Sequence, residues 1–217
     1  TKGIIRSSIL TDETYGQTLR GTAVAVPLII SISTIAVLLV GLSAPQVMIG
    51  DEVTHFYMLV NQSEDLSQPQ LYAEIPIATG HSEIRRYPHP FGWHYLGAVV
   101  YKITGGSFVF IQIFQALFFA QFLIVAYLLA RDRNGVESRS ALVYIAVLAS
   151  LPVVLIFSVA FYQDIPMTAQ VLTAFYLLRK GRWLSASLFL ALASTFKVTA
   201  TLFFPSFFLL LLYWQFK

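Results

Sequence analysis

Residues 21–42 read GTAVAVPLIISISTIAVLLVGL, a run with no charged side chain. Coiled as a helix, a stretch of this length crosses roughly 30 Å, the hydrocarbon thickness of a bilayer. It is too long for a signal peptide, and it runs on into an acidic motif rather than a cleavage site. Lys2, Arg6 and Arg20 precede it. Basic flanks stay in the cytoplasm, so the N-terminus is expected inside and the far end of the run outside. That far end leads into Gly50-Asp51-Glu52-Val53-Thr54-His55, two adjacent carboxylates and an imidazole where a membrane helix should emerge into water.

Composition extends this reading to the whole chain. Apolar residues make up 57% and charged residues 12%, about half the charge that a soluble domain carries. The expectation is a multi-pass membrane protein embedded in a lipid bilayer. Its 15% aromatic content suits interfacial belts. The absence of cysteine excludes disulfides and thiolate metal sites. A net charge of +3 does not indicate a nucleic-acid partner, because the basic residues lie in loops where topology accounts for them.

Residues 43–106 are expected to form a long extracytoplasmic segment, carrying most of the acidic side chains against only Arg85, Arg86 and Lys102. Within it Val53, Phe56, Tyr57 and Val60 fall at helical spacing, predicting an interfacial helix over 51–61. Residues 62–86, with Pro69, Pro76 and Gly80, read as irregular loop. Tyr87-Pro88-His89-Pro90-Phe91-Gly92-Trp93-His94-Tyr95 leads into a short apolar helix through about Tyr101. Further spans are expected at 107–130, at 141–162 with a kink at Pro152, and at 167–178. A hairpin of 183–195 and 202–216 follows, interrupted at Lys197. Basic clusters at 131–139 and 179–182 mark the cytoplasmic turns. The fold class is therefore all-α, a polytopic transmembrane bundle of about six spans. It is treated as a single module over residues 1–217, expected to be the N-terminal part of a longer protein.

Three ionisable groups collect at the outer face in this topology: Asp51 with Glu52, Asp164 and Lys197. A charge beside hydrocarbon costs on the order of 2.5–3.5 kcal/mol, so such groups usually face a cavity or a partner. Bland alternatives stand beside each one. Asp51 and Glu52 could cap an exposed helix, Asp164 could be the N-cap of its span, and Lys197 could snorkel to the interface. His89 and His94 could be ordinary interfacial histidines. His55 follows Asp51 by four residues on one helical face, where it could orient a carboxylate. No spacing demands zinc, and no cofactor is certain. Asp51, Glu52 and Asp164 could together take a hard divalent cation.

An acidic pair with a nearby histidine after the first span, then a His-Pro-aromatic segment, resembles the GT-C superfamily of membrane glycosyltransferases. The matching residues are Gly50 to His55, Tyr87 to Tyr95, Phe161-Tyr162-Gln163-Asp164 and Thr195-Phe196-Lys197-Val198-Thr199. Their order is similar to that in the dolichyl-phosphate-glucose α-1,2-glucosyltransferases and in bacterial relatives of the protein mannosyltransferases. The resemblance implies a sugar donor on polyprenyl or dolichyl phosphate and a glycan, glycolipid or protein acceptor. It also implies a plasma-membrane or endoplasmic-reticulum location. Asp51 would be the catalytic carboxylate with Glu52 beside it, and Lys197 would contact the lipid phosphate. His55, His89 and Asp164 would line the same cavity. Two rival classes remain, a transporter or channel subunit and a non-catalytic scaffold. The first predicts an inverted repeat, and none is evident.

Overall fold

A computed structural model describes residues 12–43, 51–76, 81–86, 90–134 and 138–216. Helix α1 (Asp12–Ser43) is followed by α2 (Asp51–Glu64), strands β1 (Tyr72–Pro76) and β2 (Ser82–Arg86), and α3 (Gly92–Ile103). Then come α4 (Phe108–Asn134), α5 (Ser138–Ser150), α6 (Pro152–Val159), α7 (Asp164–Arg179) and α8 (Trp183–Phe196). A 3-10 turn (Val198–Phe203) leads into α9 (Phe204–Gln215).

Among the described residues, Val24–Ser43 of α1 and Phe108–Arg131 of α4 are long and apolar enough to cross a membrane. A third crossing follows if α5 and α6 form one bent span. The expected six crossings thus become two or three on length and composition. Helices α7 and α8 have 16 and 14 residues, roughly 24 and 21 Å, which is short of the hydrocarbon thickness.

The breaks have identifiable causes. Pro152 opens α6 and cannot continue α5, since its ring removes an N–H and clashes with the preceding turn. Leu151 before it is extended at φ −65°, ψ 124°, and the two helices meet at 61°. At Lys197 the backbone is again extended, φ −148°, ψ 130°, ending α8.

The segment read as irregular loop contains an antiparallel hairpin, with Glu74 opposite Ile84 and Ile75 opposite Glu83. Its fold-back is driven by Ile75, which is buried with Met58 against Val53 and Tyr57 of α2. Gln62 shapes the approach to β1, donating to the carbonyls of Asp65 and Gln68 and accepting from the Gln70 amide. Pro76 terminates the first strand instead of excluding it, as proline can at a two-stranded edge.

Helix α4 is the hub. One side packs with α3, α7 and α8 around Trp93, which is fully buried, stacks on Phe114 and Phe161, and meets Phe118 and Phe196 edge-on. The other side, through Phe119, Phe122 and Leu123, joins Val37 of α1, Ile145 of α5 and Ile165 of α7. Amides tie these layers. Gln115 donates to the carbonyls of Phe157 (3.1 Å) and Tyr162 (3.2 Å), supporting the non-helical turn between α6 and α7. Gln121 and Gln170 exchange hydrogen bonds, and Gln121 also donates to Thr173.

Candidate active site

Three stretches distant in the chain are brought together by this packing: the start of α2, the turn before α7, and the end of α8. Asp51 and Glu52 are the first two residues of α2. The side chain of Asp51 and all of His89 lie outside the described residues. Glu52 reaches across to the turn, where its Oε1 accepts the Phe161 amide N–H at 3.0 Å. The acidic end of α2 is thereby fastened to the segment that carries Asp164.

Asp164 is not the N-cap. Gln163 occupies that position and makes no side-chain cap bond, leaving Asp164 as the first helical residue. A carboxylate in the first turn is favoured by the helix dipole, and this one has a second partner. Its Oδ1 accepts from Lys197 Nζ at 2.5 Å. The two side chains are 32% and 21% exposed, so the ammonium is held by a carboxylate and does not simply extend to the interface. The geometry follows from a helical hairpin. Helices α7 and α8 pair through the tight turn at Gly181, φ +71°, and that pairing returns residue 197 to the level of residue 164.

Helix α3 closes the site from the other side. Gly92 opens it and lies so near the end of α8 that a Cβ there would sit 2.7 Å from the Thr195 carbonyl oxygen. Beside this crossing is an open, largely apolar groove of about 380 Å³, lined by Pro90, Phe91, Tyr95, Leu192 and Thr195 among others.

His55, expected among the substrate contacts, is buried. Its Nδ1 lies 2.9 Å from Nε2 of His94, also buried, with the rings stacked at 16°. Tyr162 packs edge-on against His55. From the sequence, His94 is only a candidate interfacial residue, and Tyr162 and the Phe161 amide have no individual role. The His-aromatic segment signalled that something was positioned there, but nothing in the spacing paired residue 94 with 55.

Among the described residues, no three His, Cys, Asp or Glu side chains converge as metal ligands. Two carboxyl groups elsewhere in the fold are held below their usual range. Hydrogen bonds from the Ser67 hydroxyl and amide lower Asp65, and the Arg85 guanidinium lowers Glu83.

Compared with known families, residues 88–216 match the model described as dolichyl-phosphate-mannose-protein mannosyltransferase. The match spans more than half of the chain and runs from the His-Pro segment through α9, taking in Asp164 and Lys197. The acidic pair of α2 lies outside it, well N-terminal to residue 88. No curated protein and no solved structure shows significant similarity.

Proposed function

Because the chain belongs to the dolichyl-phosphate-mannose-protein mannosyltransferase family, and so is an integral-membrane glycosyltransferase, we propose that it transfers a sugar from a polyprenyl- or dolichyl-phosphate carrier to an acceptor hydroxyl at the extracytoplasmic face. The observation that carries this reading is the Lys197–Asp164 pair at 2.5 Å, alongside an α2 start that Glu52 fastens to the same turn.

The chemistry needs few groups. The acceptor oxygen attacks C1 of the sugar as the C1–O bond to phosphate breaks, and the electron pair leaves with the phosphate. Asp51 takes the hydroxyl proton, a general-base contribution of roughly 10²–10⁴-fold. Attack opposite to the leaving group inverts the anomeric centre. Lys197 offsets the charge of the departing phosphate, and Asp164 holds the ammonium in place until the donor arrives. Glu52 is the less suitable base, because its carboxylate is engaged by the Phe161 amide and points away from Asp51 by about 100° around the helix. The short helices α7 and α8 are read as membrane-crossing despite their length. Lys197 and Asp164 then meet on the outer side, and Arg179 and Arg182 lie inside, which supports about six spans.

The test is transfer of tritiated mannose from a polyprenyl-phosphate carrier to a Ser/Thr-containing peptide by the purified, detergent-solubilised protein. Asp51→Asn should lose about 10²–10⁴-fold in kcat with its melting temperature unchanged. Glu52→Gln should lose much less, and Lys197→Met should raise the KM for the donor. Full activity in Asp51→Asn, or an unaltered donor KM in Lys197→Met, would sink the assignment.

A further inference from the structure

His55 and His94 stand 39 residues apart in the chain, yet their rings meet inside the protein at 2.9 Å. They are 5% and 1% exposed. The contact joins α2 to α3 at an informative place. His55 lies one turn beyond the acidic start of α2, and His94 lies two residues beyond Gly92, whose backbone abuts Thr195 just before Lys197. The pair therefore links α2, which supplies the carboxylates, to the helix that abuts the end of α8, where Lys197 follows.

We propose that the His55–His94 pair is a positioning clasp that sets the separation between the α2 carboxylates and Lys197, and that holds only while at least one ring is neutral. A single N–H donated to a ring lone pair makes the contact, so it survives with no added proton or with one. With both rings protonated, two donors face each other and two like charges are stacked 5.1 Å apart at their centroids. The surrounding groups set the balance. Glu52, one turn earlier on α2, is a carboxylate that can balance one imidazolium. Arg85 of β2, which reaches the neighbouring Thr54 hydroxyl at 3.5 Å, opposes a second. Tyr162 contributes a ring edge from the α6–α7 turn, and Phe161 packs edge-on against His94.

The inference rests on the function proposed above for its kinetic readout, and melting without substrate tests it separately. In the double variant His55→Asn/His94→Gln, amide groups stand in for the two ring nitrogens in contact, keeping a donor and an acceptor with nothing to titrate. Turnover and thermal melting of the purified protein are followed across about pH 5–8. Wild type should lose about tenfold or more in kcat on the acid side, with KM little changed, and its melting temperature should fall in parallel. The double variant should show neither acid limb, in turnover or in melting, whatever its turnover at neutral pH. Should it fail to fold, His94→Gln alone is read in the same way, since it too prevents two imidazolium rings from facing each other. An acid limb that persists in the amide variant, or wild-type melting indifferent to pH over this range, overturns the clasp. Melting that shifts as expected in a protein with no transfer activity instead refutes the glycosyl-transfer reading and leaves the clasp standing.

Discussion

Replacing Gly92 by Ala places a methyl group where α3 crosses the end of α8. The added carbon would lie 2.4 Å from Thr195 Oγ1 and 2.7 Å from the Thr195 carbonyl oxygen, whereas ordinary contact begins at 3.4 Å. The hydroxyl cannot turn aside freely, since it is bonded to the Leu192 carbonyl at 2.7 Å and χ1 of threonine is stiff. The carbonyl belongs to the backbone and has no rotamer to change. Helix α3 must therefore move by more than about 0.5 Å, and overpacking of this kind costs about 1–3 kcal/mol. Alanine returns a few tenths through helix propensity, about 1 kcal/mol at most and less at a first helical position. The net expectation is a loss of about 1–2 kcal/mol, read as a lowered melting temperature in detergent. The crossing also sets how α3 faces Lys197, so turnover should fall about tenfold or more. Thr195→Ala in the same chain removes the hydroxyl clash and leaves the carbonyl one, so the double variant should recover only part of the loss. Wild-type melting in Gly92→Ala, or complete rescue by Thr195→Ala, would refute the reasoning.

Two other outcomes bear on the surrounding structure. A cysteine at Ser82, on the exposed β2 strand, should react with a membrane-impermeant maleimide from the extracytoplasmic side of sealed vesicles; labelling only from the cytoplasmic side would overturn the topology and the site with it. Asp65 has its carboxyl lowered from 3.8 by the Ser67 hydroxyl and amide. Its contribution is present above 3.8 and is lost as pH falls through the lower folded value. Asp65→Ala should therefore melt below wild type at neutral pH, and the gap should narrow on acidification below about pH 3.8.

Much of the helical layout is legible from residue types alone. The uncharged run after Arg20 and the one after Ser107 need only counting, and Pro152 and Lys197 mark breaks where the backbone is indeed extended. The hairpin was hidden because Pro69, Pro76 and Gly80 outweigh local strand propensity. What decides it is one side chain, Ile75, finding a pocket on α2. Asp164 and Lys197 were each conspicuous as charges in apolar surroundings, but their pairing depends on the turn at Gly181 returning α8 alongside α7. The histidine pair was not legible at all. Its contact arises from the crossing of α2 and α3, with residues 65–91 between them in the chain, and no periodicity within either helix encodes it. The number of crossings is the least readable feature, because apolar helices of 12–16 residues satisfy neither the length of a span nor the polarity of a loop.

The amides of α4 also impose a schedule on how the protein is made. Gln115 waits for the Tyr162 carbonyl, 47 residues later, and Gln121 for Gln170, 49 residues later. At ribosomal rates of about 5–20 residues per second, α4 exists for roughly 2–10 s before those partners have been synthesised. During that interval its amides need water, the insertion machinery or each other. The second half of the bundle is thus what allows the first half to settle in lipid, and a ribosome stalled between α5 and α7 would leave an apolar span with unmatched amides for membrane quality control to recognise.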